Sequence, residues 1–161
     1  MANQQELMIK MQLATWNSQL KRADDLFNKL TDEQLAQQVA PNRNSGIYLL
    51  GHLTAVHDGM FTLLGLGPQL QPELQETFVK NPDNATLEKP AITDLRTYWK
   101  QVNETLNLML QQLTADQWLE KHTAVSEEDF NTQPHRNKLN ILISRTNHLS
   151  YHLGQLVFLK D

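Results

Sequence analysis

The chain has no cysteine. This excludes a disulfide framework, a thiolate nucleophile of its own and any cysteine-ligated zinc or iron–sulfur centre. Glycine and proline are also scarce, six of each in 161 residues, and aromatics make up 7%, a composition that favours helices over a turn-rich β-sandwich. Neither sign of charge gathers into a block, since 14 basic residues stand among 18 acidic ones for a formal net charge of −4. A nucleic-acid groove needs clustered Lys and Arg, so no nucleic-acid partner is expected. No apolar run is long enough to span a bilayer. Met1 to Thr15 lacks the basic segment, apolar core and small-residue cleavage site of a leader, and the expectation is a cytoplasmic protein with no membrane partner. The length suits a single domain over 1–161 that buries a core unaided.

What is present is helical periodicity. From about Asn3 to Leu30, Leu13, Trp16, Leu20, Phe27 and Leu30 fall at helical intervals, and Thr31 with Gln34 can cap a short spur before Pro41. Asn44 or Ser45 caps a second long helix to about Leu64, with Leu49, Leu53, Val56, Met60 and Leu63 as its apolar face, ended by Gly65-Leu66-Gly67-Pro68. Gln69 to Pro90 reads as a crossover without a periodic core face, holding one short helix around Glu73 to Val79. A third long helix starts near Thr93 and runs to Leu113, followed by Thr114-Ala115-Asp116-Gln117, an echo of the Thr31 spur. Glu120 to Arg136 reads as a polar surface loop, and the last helix spans about Asn137 to Lys160. The fold expected is all-α: a four-helix bundle running up, down, down, up, with a long crossover between helices two and three.

Without cysteine, a bound metal must be held by nitrogen and oxygen, which directs attention to the six histidines. The last helix is apolar on two sides. Leu139, Leu142, Thr146, Leu149, Leu153, Leu156 and Val157 form one face, and Ile141, His148, His152 and Leu159 a second. His148 and His152 occupy positions where a bundle helix would carry leucine, and their i,i+4 spacing puts both imidazoles on one side of the helix. A pair needs a third ligand from a facing helix. Helix two offers His52 to one side of its apolar face and His57 to the other, and geometry alone does not choose between them; beside Asp58, His57 reads as a boundary histidine partly open to water.

Gly51-His52-Leu53 in an apolar second helix, with His148-Leu149-Ser150-Tyr151-His152-Leu153-Gly154-Gln155 near the end, resembles the DinB-like (DinB/YfiT) superfamily of metalloenzymes. The resemblance in helix order and length covers essentially the whole chain. It implies that one histidine of helix two and two of the last helix bind a divalent metal, often nickel or zinc, in the bundle core. Carried onto this chain, the implied ligands are His52, His148 and His152. The resemblance also points to thiol-dependent transferases and isomerases, such as those using bacillithiol or mycothiol, and supplies no particular substrate.

The expected activity is therefore a metal-dependent transferase or hydrolase acting on a small molecule, with a low-molecular-weight thiol as one candidate partner. Tyr151 and Gln155 flank the histidine pair; they either orient ligands and a bound water, or serve as a packing residue and a surface amide. Gly154 costs ~1 kcal/mol against alanine inside a helix and suggests close approach by a neighbour. No general base stands out: Asp58 is one candidate, while Glu127, Glu128 and Asp129 read as a solvated run. His122 and His135 read as surface residues. The rival function is a non-catalytic binding or dimerisation module with metal-free histidines, and a homodimer is compatible with either reading.

Overall fold

The computed structural model describes residues 4–85 and 87–160; Asn3, where the sequence starts the first helix, lies outside them. Helix α1 spans Gln4–Lys29, α2 Asp32–Leu35, α3 Gly46–Leu63, α4 Ile92–Leu110, α5 Ala115–Leu119, α6 Glu127–Thr132 and α7 Lys138–Leu156. A π-helical turn, Glu76–Lys80, lies between α3 and α4, and a 3-10 turn, Val157–Leu159, follows α7. No strand forms among the described residues, only isolated bridges pairing Gln38 with Ser45 and Lys121 with Asn137.

The helix ends follow from local chemistry. Ser45 accepts from the Tyr48 N–H and Asn137 from that of Asn140, satisfying donors that a first turn leaves open. At the other end of α3, Gly65 adopts φ 69°, and Leu66 N donates to the Phe61 carbonyl at 2.8 Å, the left-handed stop that glycine accommodates without a Cβ penalty. The two spurs are built alike. Thr31 with Gln34 and Thr114 with Gln117 each form a reciprocal capping box, and each spur drives one large side chain, Leu35 or Trp118, fully into the core.

Helix α3 is the innermost. Twelve of its 18 residues are buried, against six of the 19 in α7, so polar groups on α3 must find partners inside the protein. Late residues of α1 meet early residues of α4: Trp99 Nε1 donates to Asp24 Oδ1 at 2.7 Å, and the Arg96 guanidinium caps the Phe27 and Leu30 carbonyls at the end of α1. Gln12 of α1 donates to Thr146 Oγ1 of α7 at 3.0 Å.

The crossover does not float. It is fastened back along α3 in reverse order, with Asp58 accepting from the Leu70 and Gln71 N–H groups at 2.7 and 3.0 Å and Gln75 Nε2 donating to the Ala55 carbonyl at 2.7 Å. Farther on, Tyr48 Oη donates to the Asn81 carbonyl at 2.7 Å and Ser45 N to Asp83 Oδ2 at 2.6 Å. Contrary to the sequence expectation, this segment does supply core: Leu74 and Phe78 are buried. Phe78 packs on Gly51, where a Cβ would stand 2.4 Å from its ring.

Three other expectations change. Helix α4 starts at Ile92, beside Thr93 as expected but without a side-chain cap, and ends at Leu110, three residues short of Leu113. The stretch read as a surface loop contains α6, begun by Ser126 accepting from Asp129 N and by acids in the first turn, a favourable placement against the helix dipole. The same stretch is tied to α3 by Thr123 N donating to the Leu63 carbonyl at 3.0 Å, and His122 is consequently buried, not a surface residue. His135 is exposed, as expected. No helix among the described residues is long and apolar enough to cross a membrane.

Candidate metal centre

His52 comes from the middle of α3, and His148 and His152 come from successive turns of α7. Their ring nitrogens meet: His52 Nε2 lies 3.1 Å from His148 Nε2, and His152 Nε2 lies 3.0 Å from the same atom. Nitrogens bound to one divalent ion at about 2.0–2.1 Å stand roughly 3.0–3.4 Å apart, so the spacing fits. No carboxylate joins the cluster among the described residues.

The outer nitrogens decide what the inner ones can do. His52 Nδ1 is 2.7 Å from the Phe78 carbonyl oxygen, which only accepts, so Nδ1 carries the proton and Nε2 presents a lone pair. His152 Nδ1 donates likewise to Gln155 Oε1 at 2.7 Å, while the amide nitrogen of Gln155 faces Tyr151 Oη at 3.4 Å. Two lone pairs therefore point at His148 Nε2, and a neutral His148 has one ring proton at most for them. Its Nδ1 is buried without a partner among the described residues. A cation at the meeting point resolves the conflict, and hydrogen bonds from the far ring nitrogens are the arrangement that fixes metal-ligating histidines.

The electrostatics agree. Burial, followed by the neighbouring His152, His52 and Arg145 charges, pushes the His148 pKa down to about 3. Burial is also the main cause lowering His52 and His152. All three are held in the neutral form that binds metal.

A profile of the DinB superfamily matches residues 15–156. The chain belongs to the DinB superfamily. No curated protein matches it. DinB-like proteins are metal-associated, and the three histidines that the resemblance singles out in this DinB-superfamily chain are the ones the fold brings together.

His57 takes another course. It is fully buried, not a boundary residue open to water. Its Nδ1 donates to Asn103 Oδ1 at 2.7 Å, and Asn103 is oriented by its own donation to the Trp99 carbonyl. Trp16 and Trp99 flank the ring with centroids 4.9 and 5.3 Å away. Asp58 is occupied in fastening the crossover, and Glu127 and Asp129 pair with Lys121 and Arg136. Among the described residues nothing lies within 4 Å of where a Gly154 Cβ would be, so they supply no close approach there.

Sequence reasoning missed Phe78, whose contribution is a backbone carbonyl. One signal was available. In an α-helix that carbonyl would accept from residue 82, which is a proline with no N–H, leaving it free for His52. The π-helical geometry of Glu76–Lys80 is of a kind that recurs at functional sites.

Proposed function

We propose that this DinB-superfamily chain is a divalent-metal-dependent enzyme in which His52, His148 and His152 hold the ion and a low-molecular-weight thiol is transferred to a small electrophile. The observation that carries the reading is the convergence of three Nε2 atoms, two of them held as lone pairs by Phe78 and Gln155. Three imidazoles suit zinc or nickel. When bound, such an ion keeps positions open and acts as a Lewis acid that favours the deprotonated form of a water or thiol.

The chain's own part is positioning. Phe78 and Gln155 hold two rings in the productive tautomer, and burial keeps all three neutral. Among the described residues no carboxylate stands in the cluster to serve as general base. A thiol, with a pKa of about 8.5, needs less help to ionise than water at about 15.7, which favours thiol transfer over hydrolysis. In that reaction sulfur bonds to the electrophilic carbon, the leaving group departs with its electron pair, and the thiol proton passes to solvent.

The same reading takes residues 1–161 as one domain whose long helices run up, down, down, up. It is supported by Asp24 meeting Trp99, Gln12 meeting Thr146 and the crossover retracing α3. It also takes the cytoplasm, where thiols stay reduced, as the site of action. A second copy of the chain is a proposed partner, through the exposed Tyr151, Val157 and Phe158, and light scattering tests it. For the activity, untagged protein loaded with metal is assayed with an electrophile, with and without added thiol. The reading expects consumption of the electrophile only with thiol. Activity indifferent to thiol makes it a hydrolase, and protein that binds no divalent ion is the metal-free module.

A further inference from the structure

Arg145 lies on α7 one turn before His148. Among the described residues the arginine ion pairs are Arg96 with Asp32 and Arg136 with Asp129; Arg145 has none, and its Nε is buried without a hydrogen-bond partner. Burial lowers its pKa, and it disfavours protonation of His52, His57 and His148. A cation taken partly out of water without a counter-ion is costly, so the missing anion is the feature to explain.

Arg145 lines a cavity of about 350 Å³ with Ala55, Val56, Gly59 and Val79 among its walls. Ala55 and Val56 lie one turn beyond His52 on α3, Val79 follows Phe78, and Arg145 precedes His148 by three residues, a spacing of about 5–6 Å between Cβ atoms. The cavity thus adjoins the histidine cluster on both helices. Among the described residues no carboxylate lines it. Its other polar side chains are engaged, Gln75 with the Ala55 carbonyl, Thr62 with that of Gly59 and Thr123 with that of Thr62. Among the described residues, one free cation amid mostly apolar walls selects one kind of guest.

We propose that Arg145 recognises the carboxylate of a small acid with an apolar body, seated in this cavity one helical turn from His52 and His148 of the histidine cluster. The inference rests on the reading of those histidines as the reaction centre, and names the substrate class of that site: the carboxylate is gripped by the guanidinium while the reacting group faces the cluster.

The test uses metal-free, isotope-labelled full-length protein and follows the Arg145 Nε–H resonance while benzoate, its neutral analogue benzamide, or inorganic phosphate is added. A saturable shift is expected with benzoate, none with benzamide, and at least tenfold weaker binding of benzoate than wild type in R145Q, partly restored in R145K. An unmoved resonance, or benzoate binding unchanged in R145Q, overturns the proposal; a response to phosphate but not benzoate overturns the apolar acid as guest. The wild-type titration does not depend on any variant folding. Because no metal is present, failure here leaves the histidine reading standing, whereas a response at Arg145 in a protein that binds no divalent ion removes the reaction centre and keeps the oxyanion site.

Discussion

His52 and His57 stand five residues apart on one buried helix and lead opposite lives. His57 gives its proton to Asn103 and is packed between two tryptophans, a single histidine absorbed by the core. His52 gives its proton to a backbone carbonyl and turns its lone pair onto Nε2 of His148, where that of His152 also converges. Both are pushed toward the neutral form mainly by burial, so neutrality does not distinguish a metal ligand from a core residue. Each donates from Nδ1 to an oxygen and so keeps its lone pair on Nε2; what distinguishes them is that Nε2 of His52 faces another imidazole, whereas Nε2 of His57 meets no hydrogen-bond partner among the described residues.

The contrast can be broken most sharply at His148. His148→Ala is expected to weaken zinc or nickel binding by more than about 100-fold, since loss of even an outer hydrogen-bond partner costs ~10–100-fold. His57→Gln is expected to leave it unchanged; isothermal titration reads both.

The next effect isolates His57 by difference, since His52, His148 and His152, also lowered by burial, titrate in both proteins compared. The folded pKa of His57 is about 4, below the ~6.5 of an unfolded histidine. The unfolded chain therefore binds the extra proton between those values, and native stability is full above pH 6.5 and falls as pH drops toward 4. Metal-free wild type should lose about 3 kcal/mol more over that window than His57→Gln, measured by urea unfolding at each pH.

Smaller effects probe the supports of the His52 side. Gly51→Ala sets a methyl against the Phe78 ring; it should lower the melting temperature and weaken metal binding together, as the Phe78 carbonyl is displaced from His52. Gln155→Leu removes the acceptor for His152 and should cost ~10–100-fold in metal affinity with little change in melting temperature. Tyr151→Phe should be the mildest, under about threefold, because its contact with Gln155 is a long 3.4 Å and geometry that loose contributes little.

Legibility in the sequence followed the same division. The Thr31 and Thr114 spurs, the Ser45 cap and the long amphipathic helices rest on contacts within a few residues, which local chemistry dictates. The pairing of His148 with His152 was legible for the same reason, being one helical turn. Periodicity could not rank His52 above His57, because the choice depends on the crossover folding back along α3 and presenting Phe78 to one histidine and not the other. The burial of His122 escapes a local reading because it accompanies the ties between Thr123 and the end of α3, which are remote in sequence. Helix α6 was overlooked although Ser126 and three acids spell a helix start, since six residues carry no core face to confirm it. Gly154, read as a close approach, faces open space.

The convergence of three Nε2 atoms can be observed directly by long-range proton–nitrogen correlation of the imidazoles as zinc is added to metal-free protein. The account predicts that at one equivalent the Nε2 resonances of His52, His148 and His152 shift together while Nδ1 of His52 and His152 stay protonated and His57 does not respond. Zinc-induced shifts confined to one or two of the three, or appearing at Nδ1 or at His57, would contradict it.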